Sequence, residues 1–303
     1  LLSPVLRRMT DLSPAGAQIA SETWLVRFDR DERAAHEALS RAADVRVAWG
    51  GRDAVEAVAA LPARWECETI ILGPRVSLAV VDPGELSDRA LGRLATDVAF
   101  FDQQACSSPQ VVFVKARRGT PAFDGFLERF AAAFAAQSRA FPRHPLDPGE
   151  TYRIVLDRAR VALAGGEVLH DAATQWTIAV TERPDAALMC ANRFVQAVGF
   201  DHVDDVLCHI PGNVQTVVTA LNADDASRFT EAAAHRGVCR FPRPGEGNHF
   251  EDPWDGIPLV SRLVRWGHAA TQISAGWRGC APEDTIDGVR VIRRGRWYDA
   301  NLA

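Results

Sequence analysis

The chain has 303 residues, of which 47% are hydrophobic and 24% are charged, a composition typical of globular proteins that predicts two domains or one large one. Its formal net charge is −5, and no strongly basic face is implied, so we expect no nucleic-acid partner. No apolar run reaches the roughly 20 residues of a membrane span, so we expect no span either.

The first third of the chain alternates predicted helices and strands. Helices are predicted over about 14–21, 32–43 and 52–60, and strands over 24–28, 45–49 and 69–73. This alternation, with short connections, is typical of an α/β protein with a doubly wound parallel sheet, which binds nucleotides at the carboxyl ends of its strands.

Gly50 and Gly51 come at the end of one predicted strand and open the next helix. Glycine at such a place lets a phosphate approach backbone N–H groups at the positive end of a helix. Two adjacent glycines are more often only a turn, and there is no GxGxxG motif, so both interpretations stay open at this point.

The middle and the end of the chain continue the α/β pattern. We predict strands over 78–81, 111–116, 177–181, 197–203 and 215–221, and helices over 83–100, 123–134, 151–164 and 224–237, with Asp82 and Asp224 as N-caps of two of them. A long loop is predicted over 242–258, and a terminal β-hairpin from about 289.

The segment 102–110 is a polar loop with one thiol, Cys106, and it leads directly into an apolar strand. A thiolate attacks carbonyl carbon and is also a good leaving group, so Cys106 is a candidate nucleophile. The alternative is an inert buried cysteine, since free cysteines are among the most buried residues.

The six cysteines of the chain form no CxxC pair and no cluster with zinc-site spacing. We therefore expect reduced thiols, a cytoplasmic location and no metal site. The sequence starts at Leu1, without Met, and enters helix and strand patterns at once. From this we expect that an N-terminal portion is missing.

Several segments now occur together in one order. They are Trp49-Gly50-Gly51, then 71–75, 102–110, 192–195, and 255–259 with 263–266. In these segments the chain resembles the LuxC-type acyl-CoA reductases, fatty-acyl reductases of the aldehyde dehydrogenase superfamily. The resemblance extends from about 13 to 266, and the cysteine loop is its most specific part.

The resemblance implies a role for several residues. Cys106 is then the nucleophile, with Gln104 two residues before it as in the superfamily's Gly-Gln-x-Cys loop. Gly50 and Gly51 fall at the cofactor turn. Phe194 matches the Phe of the superfamily's Glu-x-Phe-Gly-Pro segment, which borders the nicotinamide ribose, and Asn192 replaces its Glu. An amide can still bond a ribose hydroxyl.

One departure from the superfamily bears on the chemistry. In hydrolytic aldehyde dehydrogenases a Glu before a Leu-Gly-Gly segment activates water, and Ile71 takes that place here. Isoleucine is no base, which favours a reductase that must keep water from its acyl intermediate. Glu68 is expected on the opposite face of the same strand. The backbone N–H of Cys106 is the predicted oxyanion donor.

The resemblance thus implies NADPH-dependent reduction, with NADH as the alternative cofactor, of a long-chain acyl-CoA or acyl-protein thioester to the aldehyde. An oxidative aldehyde dehydrogenase and a non-catalytic acyl-binding scaffold are the alternatives. His249 and His268 are candidate proton donors, although a lone His is more often structural. A homo-oligomer, or a complex with acyl-transfer partners, is expected.

The predicted domains follow from the same resemblance. Residues 1–75 are expected to be the C-terminal part of a dinucleotide-binding domain, residues 76–270 the catalytic domain, and residues 271–303 a tail with the hairpin. The expected fold is aldehyde dehydrogenase-like, with a partial doubly wound nucleotide-binding sheet beside an α/β catalytic domain.

Overall fold

The computed structural model describes residues 2–268, 289–293 and 296–298. The chain divides into two compact units, one containing Leu1–Ala48 and Asp53–Ile71 and the other containing Trp49–Arg52 and Leu72–Ala303.

The first unit is mostly helical, with one small sheet. Its elements are α1 (Leu2–Leu12), α2 (Pro14–Glu22), α3 (Arg33–Ala42), β1 (Val45–Trp49), α4 (Arg52–Ala59) and β2 (Glu68–Leu72). Strands β1 and β2 pair in a two-stranded sheet. The predicted helices and the last two predicted strands of this region are confirmed. Helix α2 begins as expected, because the Ser13 side chain accepts the Gly16 N–H.

The strand predicted over 24–28 is wrong. These residues have no regular structure, and Trp24 is 84% exposed, with Leu25 and Val26 exposed beside it. Apolar residues favour a strand only where a neighbouring strand pairs their N–H and C=O groups and covers their side chains. Among the described residues the sheet of this unit has only β1 and β2.

The described part of the second unit is built on a six-stranded sheet in the order β5-β6-β7-β4-β3-β8. Its strands are β3 (Val76–Val81), β4 (Pro109–Val114), β5 (Glu167–His170), β6 (Thr177–Thr181), β7 (Phe194–Gly199) and β8 (Val214–Ala220). Neighbouring strands are parallel, except that β5 runs antiparallel to β6 at one edge. This confirms the α/β prediction; the edge strand β5 was not predicted.

Helices cover both faces of this sheet. They are α5 (Asp88–Ala99), α6 (Pro121–Ala140), α7 (Pro148–Leu163), α8 (Val203–Leu207), α9 (Ala223–Ala234) and α10 (Leu259–Arg262). Because successive side chains of a strand point to opposite faces, Ala79 and Val81 pack in one core cluster with α5 and α6. Leu78 and Val80 pack in the other with α8 and α9. The central strands are mostly apolar because both faces of the sheet are buried.

Two predicted helix starts need correction. Asp82 caps only a short 3₁₀ turn, Pro83–Glu85, and α5 begins after Ser87, whose side chain accepts the Ala90 N–H. Helix α9 begins after Asn222 rather than at Asp224, because the Asn222 side chain accepts the Asp225 N–H. In both places a second capping side chain in the same segment bonds the free N–H group at the helix start.

A separate three-stranded sheet lies at the end of the chain, formed by β9 (Arg265–His268), β10 (Val289–Arg293) and β11 (Arg296–Tyr298). Strand β10 pairs antiparallel with both others. Among the described residues, we find no helix with the length and apolar character needed to cross a membrane. The predicted domain boundaries stay predictions.

Candidate active site

Cys106 lies immediately before β4, at the end of the sheet where the parallel strands β3, β4 and β7 begin. It lines a pocket of about 610 Å³ together with residues from 49–51, 73–76, 101–110, 189–191 and 248–254. The hydroxyl of Ser77, a buried residue of β3, donates a hydrogen bond of 2.6 Å to the Cys106 carbonyl. The cysteine is thus anchored through its backbone, while its side chain is partly exposed to the pocket.

The electrostatic surroundings act on the thiol in two directions. Burial raises the pKa of Cys106 above its ordinary value, and the Asp255 carboxylate raises it further. Hydrogen bonds from the backbone N–H groups of Cys106 and Ser107 and from the Trp49 side chain lower the pKa. The thiol is therefore protonated at neutral pH, and three donors stabilise the thiolate once it forms.

Two glutamine side chains fix the shape of the cysteine loop. Gln103 is buried, and its Nε2 donates a 2.9 Å hydrogen bond to the Pro109 carbonyl. The Nε2 of Gln110 donates a 3.1 Å hydrogen bond to the Gln103 carbonyl. Both ends of the loop are thereby joined across Cys106, a role for these glutamines that the sequence analysis did not identify.

A buried ion pair joins the cysteine loop to the start of β7. The Nε of Arg193 lies 2.7 Å from Oδ1 of Asp102, and its Nη2 donates to the Phe141 carbonyl at 2.7 Å. Ala191, Asn192 and Arg193 all have positive φ angles, of 55°, 57° and 60°. Positive φ is uncommon for residues other than glycine, and surrounding contacts must hold such a run in place.

The four residues expected at the cofactor do not all lie in the pocket. Asn192 reaches the cysteine loop, where its Oδ1 accepts a 3.0 Å hydrogen bond from Nε2 of Gln104. Phe194 has 0% exposure and packs in a core cluster with Ile154, Val161, Ala179 and Leu188. Its side chain lies in the core and not in the pocket wall, so its contact with a cofactor stays a prediction.

Gly50 and Gly51, in contrast, line the same pocket as Cys106. The N–H of Gly50 donates a 3.2 Å hydrogen bond to the Leu72 carbonyl. A Cβ added at Gly51 would meet no atom within 4 Å. The backbone of this turn is therefore open to an approaching group.

Aromatic rings form an apolar wall of the pocket. The rings of Phe250 and Trp254 are stacked, with centroids 4.9 Å apart, and Trp49 lies 6.1 Å from Trp254. The guanidinium carbon of Arg240 lies 4.4 Å from the Trp254 ring centroid. Phe250 and Trp254 both belong to the long loop that the sequence predicts over 242–258. This wall can exclude water and hold an apolar ligand beside the thiol.

Asp255 places a carboxyl group next to this wall. It has a positive φ of 54° and is buried, and its Oδ1 has no hydrogen-bond partner among the described residues. Burial raises its pKa, while the guanidinium groups of Arg75 and Arg240 lower it. In the sequence Asp255 stands out only as part of the segment 255–259, because nothing local to it indicates that its charge acts on Cys106.

The structure also places the residues considered as a base or as proton donors. Ile71 and Glu68 are half-buried residues of β2 in the first unit. The carbonyl of His249 accepts a hydrogen bond from Arg240, and the side chain of His268 lies outside the described residues. In the part of the chain that the structure describes, no group of three or more His, Cys, Asp or Glu side chains could hold a metal ion.

The fold has relatives among solved structures of aldehyde dehydrogenases. A lactaldehyde dehydrogenase from Escherichia coli is 18% identical, with a TM-score of 0.53, over 78% of this chain and 54% of that one. An NAD-dependent benzaldehyde dehydrogenase from Corynebacterium glutamicum is 12% identical, with a TM-score of 0.54, over 78% of this chain and 57% of that one. These likenesses confirm the expected aldehyde dehydrogenase-like fold.

Sequence comparison identifies the branch of that fold. The long-chain acyl-protein thioester reductase of Vibrio harveyi is 26% identical over 240 residues, which are 78% of this chain and 49% of that protein. The chain spans about half the length of the curated relatives it matches. A family profile described as acyl-CoA reductase (LuxC) matches residues 2–266. With that match over most of its length, the chain belongs to the LuxC family of acyl-CoA reductases.

Proposed function

We propose that this chain takes part in the reduction of a long-chain fatty acyl thioester to the aldehyde, with Cys106 as the nucleophile. The observation that carries the proposal is the environment of the thiol. Cys106 lines a pocket with an aromatic wall, and backbone N–H groups and an indole side chain bond to its sulfur. These are the requirements for forming a thiolate next to an apolar acyl group.

The acyl donor is proposed as an acyl-CoA or an acyl-protein thioester. The relatives are named long-chain acyl-protein thioester reductases, and the family is described by acyl-CoA reduction. Both donors present the same thioester carbonyl to Cys106. The wall of Trp49, Phe250 and Trp254 supplies apolar surface for the acyl chain beside it.

In the proposed reaction the sulfur of Cys106 attacks the thioester carbonyl carbon. A new C–S bond forms, the bond to the donor's sulfur breaks, and the departing thiolate takes up the proton that Cys106 has lost. The N–H of Cys106 is the proposed donor to the developing oxyanion. Ile71, in place of a basic residue, leaves that position unable to activate water, so the acyl group is kept for reduction. Hydride addition to the acyl carbon gives an anionic thiohemiacetal, whose collapse releases the aldehyde and leaves the Cys106 thiolate, and that thiolate takes up one proton from solvent.

The hydride is proposed to come from a nicotinamide cofactor, with NADPH as the first choice and NADH as the alternative; when bound, it supplies the two electrons of the reduction. Gly50 and Gly51 fit this role, because they line the pocket with Cys106 and leave open space at Gly51. Asn192 is held beside the cysteine loop by Gln104, where an amide can bond a hydroxyl group. Phe194 stays a proposed neighbour of the cofactor, and its buried side chain packs in the core beside this segment.

Domain organisation and assembly are part of the same proposal. We assign residues 76–270 to the catalytic domain, residues 1–75 to the cofactor side and residues 271–303 to a tail. A homo-oligomer or a complex with an acyl-transfer partner completes the proposed assembly.

The experiment follows acyl transfer and reduction separately. The protein is incubated with alkyne-tagged palmitoyl-CoA, and label on Cys106 is measured by peptide mass spectrometry before and after hydroxylamine, which cleaves thioesters. NADPH is then added and aldehyde is measured. We expect label that hydroxylamine removes, and aldehyde with NADPH but not without it.

Cys106→Ala should abolish label and aldehyde, and the exposed Cys208 gives the control variant Cys208→Ser, which should retain both. Aldehyde formation by Cys106→Ala would overturn the role of Cys106. Label without aldehyde would identify an acyl carrier instead of a reductase, and acid instead of aldehyde would identify a hydrolytic enzyme.

A further inference from the structure

The loop 245–249 runs past the cysteine loop and is held on one side by a buried acid. Asp97 of α5 is 2% exposed. Its Oδ2 accepts the N–H of Gly245 at 2.7 Å, and its Oδ1 accepts the N–H of Gly247 at 3.2 Å. A Cβ added at Gly247 would lie 3.2 Å from the Asp97 carboxyl carbon, so the loop backbone fits closely over this group.

The buried side chain of Arg240 binds the carbonyl groups of the same loop. Arg240 donates to the Gly247 carbonyl at 3.1 Å and to the His249 carbonyl at 2.8 Å. The loop backbone therefore lies between an acceptor of its N–H groups, Asp97, and a donor to its carbonyl groups. Hydrogen bonds to charged groups are the stronger kind, and each is expensive to lose in a buried place.

Asn248, in the centre of this loop, connects it to the nucleophile. Its Nδ2 donates to the backbone carbonyl of Asp97 at 2.8 Å, and its Oδ1 accepts the Ser107 hydroxyl at 2.7 Å. Ser107 directly follows Cys106, and its backbone N–H is one of the donors that favour the thiolate. A continuous path of hydrogen bonds thus runs from Asp97, through the loop, to a group that bonds the reactive sulfur.

We propose that Asp97 is a positioning residue for the Cys106 thiol: its carboxylate holds the loop 245–249, and through it Asn248 keeps Ser107 and its N–H in place beside the sulfur. The catalytic consequence of this placement rests on the proposed function. The effect of Asp97 on the reactivity of the thiol is independent of the proposed function, because alkylation of Cys106 needs neither an acyl donor nor a cofactor.

The ionisation of Asp97 gives this arrangement a pH dependence. Burial raises the pKa of Asp97 to about 7, and the N–H groups of Gly245 and Gly247 oppose that rise. The negative charge of Glu246 also raises the pKa of Asp97. The Arg240 guanidinium carries the opposite charge and lies close enough to interact with Asp97.

On its own helix, the Arg93 side chain packs against Gly245, and on the loop His249 is the further titratable residue. Below about pH 7 a proton occupies an Asp97 oxygen that faces an N–H donor. That oxygen then becomes a donor itself, the loop loses one of its bonds, and Asn248 no longer holds Ser107 in one position.

The test measures the rate at which iodoacetamide alkylates Cys106, from about pH 5 to pH 10, by mass spectrometry of the Cys106 peptide. In the wild type we expect two steps, one from the thiol itself and one near pH 7 from Asp97. In Asp97→Asn the step near pH 7 should be absent, because an amide does not titrate. The rate above that pH should fall about fivefold, the effect of one lost hydrogen bond.

Two further variants separate positioning from loss of the fold. Asn248→Ala leaves Asp97 intact but cuts the path to Ser107, so it should lose the same step and the same reactivity while its thermal unfolding midpoint stays above the assay temperature. Asp88→Asn changes an exposed acid of the same helix and should keep the wild-type profile. The proposal is overturned if Asp97→Asn, or Asn248→Ala should the first not fold, retains the step near pH 7. Failure of the proposed function would show instead as absence of aldehyde with the alkylation profiles as expected.

Discussion

Asp102 and Arg193 are 91 positions apart in the sequence and form an ion pair, with 2.6 Å between Nη2 of Arg193 and Oδ1 of Asp102. Arg193 is 1% exposed and Asp102 is partly buried. The pair connects the first residue of the cysteine loop to the residue before Phe194. Through it, the two segments that carry Cys106 and Asn192 keep a fixed separation.

Removal of Arg193 should be strongly destabilising. In Arg193→Ala the Asp102 carboxylate loses its partner in a low-dielectric place and the Phe141 carbonyl loses its donor. Breaking a buried pair by removing one partner costs about 3 to 5 kcal/mol. We expect a loss of that size in the free energy of unfolding, measured by urea titration.

The chain offers a matched control in the exposed pair of Arg117 and Asp201. Exposed ion pairs contribute about 0 to 1 kcal/mol, so Arg117→Ala should change the unfolding free energy by no more than that. Equal effects of the two variants would contradict a special role for the buried pair.

The second prediction concerns the proposed cofactor contact at Gly50 and Gly51. A Cβ at Gly51 would meet no atom within 4 Å, so Gly51→Gln should fold with little change in its unfolding midpoint. Its side chain would occupy space in the pocket beside Cys106. We expect the KM for NADPH to rise severalfold, while hydroxylamine-sensitive acylation of Cys106 without cofactor stays close to that of the wild type.

Gly212 provides the control for that variant, since a Cβ there also meets nothing within 4 Å and the residue is not part of the pocket. Gly212→Gln should leave both the KM and the acylation rate unchanged. An unchanged KM for NADPH in Gly51→Gln would contradict the proposed contact between the cofactor and Gly51.

Apolar patterns in the sequence predicted most helices and strands of the fold. The apolar segments at β3, β4 and β8 predicted strands because both faces of the sheet are buried, and the helix predicted over 123–134 packs Phe126, Phe130 and Phe134 in the core. The segment 24–28 had the same apolar character but forms no strand, since no neighbouring strand in the described residues covers it.

The site could be predicted only in part, because its contacts join distant segments. The sequence indicates Cys106 as a candidate through its polar loop and through the resemblance. Asp97 and Gly247 are 150 positions apart, and no periodicity indicates such a contact. One signal was present: Asp97 lies between Leu94 and Val98 on the buried side of α5, and an acid among apolar positions of a helix requires a partner.

The third prediction concerns the pKa of the Cys106 thiol. The Asp255 carboxylate raises the pKa of Cys106, because a negative charge disfavours a second one nearby. Asp255→Asn removes the charge, and Asn tolerates the positive φ of this position. The pKa of the thiol should therefore fall, and the midpoint of Cys106 alkylation by iodoacetamide should move to lower pH.

Glu251→Gln is the comparison variant for this measurement, since Glu251 is an exposed acid of the same loop that pairs with Arg240. Its alkylation midpoint should match that of the wild type. A midpoint in Asp255→Asn that stays in place, or moves to higher pH, would show that the carboxylate does not act on the thiol through its charge.

The last prediction is the effect of Asp97 on stability. Its pKa in the folded protein is raised from 3.8 to about 7 by burial. A group whose pKa is raised on folding contributes stability below its unfolded pKa, and this contribution is lost as the pH rises through the folded value. The difference in unfolding free energy between the wild type and Asp97→Asn should therefore fall by about 4 kcal/mol between pH 4 and pH 8. Urea titrations at several pH values measure this difference, and Asp88→Asn, which changes an exposed acid, should show no such trend. Stability and thiol reactivity therefore change in opposite directions as the pH rises through about 7. Ionised Asp97 lowers the stability of the fold, while the same carboxylate holds the loop that positions Ser107. A wild type that gains stability relative to Asp97→Asn as the pH rises would mean that the two N–H bonds outweigh burial.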